Sequence, residues 1–226
     1  MFRFSFVCLT ACATAAIPSA NDHNGDTPDA GGGQQTTRPD AAPQNTGSNT
    51  GSNSGSNSGS NQGNPCAYSG VLATFDLSSQ SGSEITAPVT STASGVTASG
   101  IQRGTGLTAN TGSGSINASN WPTGGSVDMT KYFSFTVTAP TGCSLAISSL
   151  SIDAKASGTG PAVGAVGTDR DNFGSLSTIS TSAPSTPSLT ASSHDTIEIR
   201  VFGYSASGAS GTFRIQNTLT VTGSTM

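Results

Sequence analysis

The feature that most constrains the fold is a period-two alternation of apolar and polar residues, which recurs along residues 66–226. Successive side chains of a β-strand point to opposite faces, so each alternating segment predicts a strand with one buried face. The clearest apolar sets are Val71, Ala73 and Phe75; Phe133, Phe135 and Val137; Ile197, Ile199 and Val201; and Phe213, Ile215, Leu219 and Val221. Clusters of Gly, Pro, Asn and Ser separate them, as turns require. The pattern predicts eight or nine short strands in an all-β antiparallel sandwich of the jelly-roll type.

One predicted strand contains a break in this pattern. Between residues 144 and 154 the apolar positions move from odd to even numbers, and they are Leu145, Ile147, Leu150 and Ile152. A shift of one residue reverses the buried face of a strand, so the sequence predicts a bulge near Ser148 and Ser149.

Composition excludes several classes of protein. The chain contains 38 Ser, 32 Thr and 29 Gly, and only 9% of its residues are charged. Helical bundles and coiled coils need far more Leu, Glu, Lys and Arg. A net charge of -4 with eight Lys and Arg also argues against nucleic acid as a partner, because clustered cations hold nucleic acid.

The N-terminal residues predict export. Arg3 precedes a short apolar run that ends in small residues, which is typical of a secretory signal peptide. Residues 9–12, Leu-Thr-Ala-Cys, resemble the lipobox of bacterial lipoproteins, which implies that Cys12 is diacylated and anchors the chain to a membrane. Ala13 after this cysteine resembles outer-membrane sorting in bacteria with two membranes. The alternative is ordinary cleavage after Ala15 or Ala20, which releases an extracellular protein.

Residues 13–65 predict a disordered linker. Four tetrads of the form Gly-Ser-Asn-x begin at Gly47, Gly51, Gly55 and Gly59 and offer no apolar face to bury. As a flexible coil the segment spans about 40 Å root-mean-square. A cysteine followed by such a tether resembles the stalk of myxobacterial-type surface lipoproteins. The segment is interpreted as a spacer, and a low-complexity tail without a required length is the alternative.

Two cysteines remain for the domain of residues 66–226, because Cys8 lies in the signal peptide and Cys12 is the expected lipid site. In an exported protein Cys66 and Cys143 are expected to form a disulfide. A metal site or a catalytic thiol is the alternative, but no histidine or second thiol accompanies either residue.

A family resemblance covers nearly all of residues 68–224. Eight segments carry it in order, and they read VLATFD at 71–76, IQRGTGL at 101–107, NW at 120–121, YFSFTV at 132–137, LSID at 150–153, GTGP at 158–161, IRVFGY at 199–204 and GTFRIQN at 211–217. The series resembles a β-sandwich module of secreted bacterial proteins, including some with sorting tails of the PEP-CTERM kind. The resemblance implies the fold and a surface location, and it implies no activity.

The general shape is also similar to carbohydrate-binding jelly rolls, which often hold a structural calcium near their first and last strands. Asp76 is on the first predicted strand, but Gln216 and Asn217 stand where such modules often carry an acidic residue. Asp169 and Asp171 begin a segment that resembles a calcium loop, in which Phe173 replaces an expected oxygen ligand. These three aspartates are weak calcium candidates. A polar turn is the preferred interpretation of residues 169–174, and no other metal or cofactor is expected.

Exposed aromatic rings bind sugars because the apolar face of a pyranose stacks on them. Trp121 and Tyr204 lie near Gly-rich stretches and are candidate ligand-binding residues, although a buried Trp that anchors the core is the alternative.

No catalytic arrangement is evident. Ser193, His194 and Asp195 are consecutive, so they cannot form a triad by themselves, and a turn is expected there. The sequence therefore predicts a non-catalytic surface module that binds glycan or another envelope or matrix partner. A structural or self-assembling envelope protein is the alternative, and a secreted hydrolase is less favoured.

Overall fold

The structure is a computed structural model that describes residue 64 and residues 66–226. The predicted signal peptide with Cys12, and the predicted linker apart from Asn64, lie outside the described residues. In the part of the chain that the structure describes, no helix is long and apolar enough to cross a membrane.

The described residues form strands joined by short loops. In chain order the strands are β1 Tyr68–Asp76, β2 Ser81–Gly82, β3 Thr86–Ala87, β4 Ser91–Thr92, β5 Thr97–Ala98, β6 Ile101–Arg103, β7 Thr108–Asn110, β8 Ser115–Ser119, β9 Tyr132–Thr138, β10 Leu145–Ala156, β11 Pro161–Thr168, β12 Ser177–Ile179, β13 Pro184–Ser185, β14 Ser188–Ser193, β15 Thr196–Ala206 and β16 Phe213–Thr225. A 3-10 helix, Asp169–Asp171, connects β11 to β12.

Two mostly antiparallel sheets pack against each other. Sheet A contains the strand order β14–β10–β16–β1, and sheet B contains the order β12–β11–β15–β9. Along these eight strands the chain alternates between the sheets, apart from the β11–β12 hairpin, and the first strand lies beside the last. This is the topology of a jelly roll, and the shorter strands extend the two sheets. The predicted fold class is therefore confirmed.

The predicted bulge is present in β10. The register of this strand shifts between Ile147 and Ser149 against both of its long neighbours, β14 and β16. The shift lets the apolar residues on both sides of it face the core, and Leu145, Ile147, Leu150 and Ile152 are all buried.

The core lies between the sheets and consists of the inward residues of the alternating strands. Its largest fully buried side chains are Trp121, Phe75, Phe133, Phe135 and Phe213. Phe202 is also fully buried, but it lies on the outer face of sheet B and outside this core. Phe75 of sheet A contacts Phe135 of sheet B with ring centroids 4.9 Å apart. Aromatic side chains therefore bridge the two sheets in a core that is otherwise built from aliphatic residues.

A disulfide joins the segments that precede two strands of sheet A. Cys66 and Cys143 are bonded, with Cα atoms 5.3 Å apart and 77 residues between them in sequence. Cys66 precedes β1 and Cys143 precedes β10, so the bond ties the first framework strand to the third. The predicted pairing is confirmed.

Removal of this disulfide should destabilise the domain by about 4 kcal/mol, because the unfolded chain regains the entropy of a long loop. Urea unfolding of the double variant Cys66→Ser, Cys143→Ser should show a lower midpoint than the wild type. A reducing agent should lower the midpoint of the wild type and leave the variant unchanged. Equal midpoints for the oxidised wild type and the variant would contradict the assignment of this bond as a stabilising element.

Hydrogen bonds from Arg103 join the two sheets near β2 and β6. Arg103 of sheet B donates its Nε to the carbonyl of Asn117 in sheet A at 2.8 Å, and its terminal nitrogens donate to the carbonyls of Gly82 and Glu84. The Glu84 carboxylate in turn accepts the backbone N–H groups of Ser81 and Gly82. Burial alone would raise the pKa of Glu84, but these hydrogen bonds lower it from 4.5 to about 2.

The Glu84→Gln variant should therefore lose a pH-dependent part of the stability. The folded-state pKa lies below the unfolded value, so the stabilisation is present above about pH 4.5 and is lost as the pH falls toward 2. Allowing for solvent screening of a partly exposed carboxylate, we expect Glu84→Gln to lower the free energy of unfolding by about 1–2 kcal/mol at pH 7. The difference from the wild type should approach zero near pH 2 in urea titrations.

The exposed carboxylate of Asp195 provides a control, and Asp195→Asn should change the free energy of unfolding by less than about 0.5 kcal/mol. A Glu84→Gln deficit that stays constant from pH 7 to pH 2 would show that the carboxylate charge does not stabilise this link.

Candidate functional site

A surface groove lies where the hydrogen-bonded ladders of both sheets end. Strand β12 pairs with β11 only at residues 164–166, which leaves Gly167 and Thr168 without a strand partner on that side. Strand β14 pairs with β10 on one edge and with no other described strand. Both open edges line a groove of about 750 Å³. We call it the edge groove, and its lining residues are Gly167, Thr168, Arg170, Asp171, Ser175, Ser177, Ser188, Leu189, Thr190, Ala191 and Ser192.

Hydroxyl groups dominate the wall formed by β14. In this strand Leu189 and Ala191 are buried, so the alternation turns Ser188, Thr190 and Ser192 toward solvent. Residues two apart on one strand face are about 7 Å apart, which makes a row of evenly spaced donors and acceptors. The wall can therefore hydrogen-bond an extended polar ligand along its length.

The opposite wall is the loop of residues 169–175, and its side chains are fixed by hydrogen bonds. Arg170 pairs with Asp169 and donates to the Ser193 hydroxyl, at the end of β14, at 3.2 Å. The Asp171 carboxylate accepts the backbone N–H of Ser175 at 2.7 Å. Hydrogen bonds from the hydroxyl and the backbone of Ser175 lower the pKa of Asp171, so this carboxylate is charged at neutral pH.

This loop contains backbone strain at Phe173, whose φ of +58° is unusual for a bulky residue. The Phe173 ring is only 6% exposed and packs edge-on against Phe202, with centroids 6.1 Å apart. The Arg200 guanidinium lies 4.2 Å from the centroid of Phe173 and 4.1 Å from that of Tyr132. Packing of the ring on the outer face of sheet B offsets the strain and holds the loop in place.

Glu198 completes this cluster, which we call the Arg200 stack and which consists of Tyr132, Phe173, Glu198, Arg200 and Phe202. The Glu198 carboxylate accepts Nε and Nη2 of Arg200 at 2.7 and 3.1 Å. The bidentate contact fixes the plane of the guanidinium, and a planar cation is what both rings require. The Arg200 stack therefore positions the loop wall of the edge groove.

The interpretation of Trp121 as a ligand-binding ring is wrong. Trp121 is 1% exposed, and its Nε1 donates to the carbonyl of Ala118 at 2.9 Å. Its ring contacts Phe133 and Phe213, with centroid distances of 5.4 Å in both cases. The ring and its polar nitrogen are both satisfied inside the protein, so Trp121 anchors the core, as the alternative interpretation expected.

Tyr204, the other aromatic candidate, is half-buried near the end of β15 and pairs with Val163 of β11. It faces the outer side of sheet B and does not line the edge groove. A role for Tyr204 in ligand binding stays a prediction.

The three calcium candidates are not grouped at one place in the structure. Asp76 lies on β1 in sheet A, where its carboxylate accepts the backbone N–H of Ser78 at 2.9 Å, a hydrogen bond that lowers its pKa. Asp169 and Asp171 lie in the groove loop and are engaged by Arg170 and Ser175. Across residues 64 and 66–226, no three His, Cys, Asp or Glu side chains are grouped so that they could hold a metal ion. Calcium binding at these aspartates therefore stays a prediction.

Ser193 ends β14, and His194 and Asp195 form the bend that connects it to β15, in agreement with the expected turn. His194 makes a contact that the sequence did not predict. Its Nδ1 lies 2.8 Å from the hydroxyl of Ser144. The two residues are fifty positions apart, so no local sequence pattern indicates the pair. Among the described residues no carboxylate is hydrogen-bonded to this imidazole, so the pair lacks the orienting acid of a catalytic triad.

Together, the fold and the groove define an all-β jelly-roll domain with a polar surface groove at its open edges. Comparison of the chain with protein-family models, with curated proteins and with solved structures found no match. The resemblance to a module of secreted bacterial proteins therefore stays a prediction.

The Arg200→Gln variant tests whether the Arg200 stack positions the groove loop. The variant loses two cation–π contacts and an ion pair, so amide hydrogen exchange at residues 169–175 should accelerate by about tenfold or more. Arg214→Gln is the matched control, since Arg214 is also half-buried on an outer sheet face but makes no ring contact among the described residues. Unchanged exchange in the Arg200→Gln loop would contradict the positioning role.

Proposed function

We propose that this chain is an exported, non-catalytic surface module that binds glycan in the edge groove. In this proposal Cys12 carries the lipid anchor, and residues 13–65 hold the domain away from the membrane. The observation that carries the proposal is the lining of the groove, in which eight of eleven residues are polar.

Sugars fit this lining because each ring carries several hydroxyl groups that both donate and accept hydrogen bonds. The groove offers the same mixture, with hydroxyls on β14, a guanidinium from Arg170 and a carboxylate from Asp171. Its volume is within the range of small-molecule sites, but its lining is more polar than those sites usually are. An apolar ligand would leave these groups without partners, so a polyol is favoured.

The lining residues are held in position before any ligand binds. Ser177 donates its hydroxyl to the carbonyl of Ser188 at 2.9 Å, which links β12 to β14 beside the groove. Arg170, Asp171 and the Arg200 stack fix the opposite wall. Preorganised side chains lose less entropy on binding, which matters for a ligand that is bound mainly through hydrogen bonds.

A tethered position would compensate for weak binding at such an open groove. Many domains held on one surface meet a repeating polysaccharide at high effective concentration, and avidity then exceeds the affinity of one groove. This argument favours a repeating surface or matrix glycan over a free monosaccharide.

The proposal is tested by blocking the groove. Thr190 is exposed on the hydroxyl wall, so Thr190→Trp should fill the space between the walls and reduce glycan binding by about tenfold or more. The full-length chain should be applied to a glycan array and to polysaccharide from the surface of the producing cells. Thr108→Trp is the matched control, because Thr108 is exposed on β7 outside the groove lining.

Equal binding by Thr190→Trp and Thr108→Trp would place the ligand elsewhere and overturn the groove assignment. Absence of glycan binding together with self-association of the wild type would instead favour a structural envelope protein.

A further inference from the structure

A second site is suggested by the placement of the few positive charges in the domain, and it does not depend on the edge groove. Residues 66–226 contain six Lys and Arg residues, and they are Arg103, Lys131, Lys155, Arg170, Arg200 and Arg214. Arg103 donates to backbone carbonyls, and Arg170 and Arg200 are ion-paired with Asp169 and Glu198. Lys131 lies close enough to Asp128 to lower its pKa, after larger effects from hydrogen bonds of Thr130. Lys155 and Arg214 remain.

These two cations are direct cross-strand neighbours. Lys155 of β10 pairs in register with Arg214 of β16, and both side chains point to the outer face of sheet A. Neither forms an ion pair with a described residue. Like charges directly opposite each other destabilise a sheet. Nevertheless, two of the six Lys and Arg residues of the domain occupy such opposite positions. An anion between the two cations would convert this repulsion into two attractive contacts.

A preformed hollow of about 140 Å³ lies at this pair, and we call it the basic hollow. Its lining residues are Lys155, Ala156, Ser157, Thr212 and Arg214. The volume corresponds to a few water molecules, each of which occupies about 30 Å³ in the liquid, so one oxyanion fits.

The floor of the basic hollow is rigid. The Ser157 N–H donates to the Thr212 carbonyl, and the Thr212 N–H donates to the Ser157 hydroxyl, both at 2.9 Å. Beside it the backbone packs so closely that a Cβ on Gly211 would lie 2.1 Å from the carbonyl oxygen of Thr159. Only glycine permits this approach, so the backbone beside the hollow is closely packed.

The nearest carboxylate on the same strand face does not neutralise the pair. Asp153 precedes Lys155 by two residues, and its carboxylate accepts the side-chain amides of Gln216 at 3.1 Å and Asn217 at 2.6 Å. It forms no ion pair with Lys155 or Arg214. Asp153 is not among the residues that line the basic hollow.

We propose that the basic hollow binds a single oxyanion, a sulfate or carboxylate group, carried by an acidic polysaccharide. A planar guanidinium and a flexible ammonium suit such a group, since the first can bind two of its oxygens and the second contributes a point charge. An anionic membrane is a weaker fit, because the chain carries a net charge of -4 and two cations provide little attraction to a charged surface. The exposed large apolar residues Tyr68, Val71, Ile85, Met129 and Met226 also lie outside the hollow.

The test uses affinity electrophoresis of the full-length chain in gels that contain dextran sulfate or uncharged dextran. A chain of net negative charge is repelled by a polyanion in general, so retardation by dextran sulfate reports a local site. We expect retardation in dextran sulfate only, weakening with added salt, and reduced about tenfold in affinity by Lys155→Gln or Arg214→Gln. Lys131→Gln makes the same change in net charge outside the hollow and should bind like the wild type.

Thermal unfolding provides a second measurement that does not depend on a polymer. Sulfate should raise the melting temperature of the wild type more than that of Lys155→Gln, and the common increase in both chains measures the general salt effect. Both variants should fold, because each relieves a like-charge contact.

The proposal is overturned if dextran sulfate and dextran retard the chain equally, or if Lys131→Gln loses as much affinity as Lys155→Gln. A lipid source is separated by vesicles with anionic or zwitterionic headgroups and a Cys12→Ser chain, which carries no acyl anchor. Capture by anionic vesicles that depends on Arg214, without retardation by dextran sulfate, would overturn the polysaccharide assignment. Loss of the basic hollow should leave the effect of Thr190→Trp unchanged, so this proposal and the groove proposal fail independently.

Discussion

The rest of the structure depends on the pairing and burial of the last strand, β16. Its backbone is hydrogen-bonded to β1, β10 and β8, so three parts of sheet A that are distant in sequence meet on it. Its inward side chains Phe213, Ile215, Leu219 and Val221 are fully buried against sheet B. Both the ladder and the core of the sandwich are therefore completed only when the end of the chain is in place. Such non-local pairing is typical of slow-folding β-sandwiches, and the disulfide reduces the entropy lost in closing the longest of these loops.

The same architecture determines where a ligand can bind. A sandwich buries the inner faces of its sheets, which leaves outer faces and edges for recognition. The eight-strand framework ends at β12 and β14, and their open edges meet at the groove. Exposed edges invite pairing with other chains, and here the short β12 and the Arg170 loop interrupt them. The edge groove lies between the open edges of the two sheets, whereas the basic hollow lies on sheet A alone. Binding is expected to rest on hydrogen bonds in the groove and on charge in the hollow.

Much of the fold follows from the sequence, because a strand that is buried on one face alternates apolar and polar residues. The alternation predicted the sandwich, the reversed phase around Ser148 predicted the bulge in β10, and export predicted the Cys66–Cys143 pair. The burial of Trp121 was harder to predict from the sequence. Its Gly-rich and Pro-containing neighbours are typical of an exposed loop, whereas its ring points into the core.

The edge groove was not predictable in the same way. The sequence pattern of β14 is that of any strand with one solvent-exposed face, which here carries Ser188, Thr190 and Ser192. These residues line a groove only because the other edge of β14 has no strand partner among the described residues. The Arg200 stack unites residues from β9, β15 and the groove loop, so no local pattern reveals it. The sequence does contain one signal. Glu198 and Arg200 are opposite charges two residues apart in a strand of a chain with few charges, which indicates an ion pair on the outer face of that strand. Lys155 and Arg214 carry a similar signal, since each is a rare charge within a strand pattern.

Glycan binding at the edge groove is tested most directly by chemical-shift mapping of the full-length chain, titrated with polysaccharide from the surface of the cells that produce it. We expect shifts in the amides of β14 and of residues 167–177, with small changes on the inner strands. Absence of any shift at saturating polysaccharide, or shifts confined to surfaces outside the edge groove, would contradict the conclusion that this jelly roll binds glycan at its open edges.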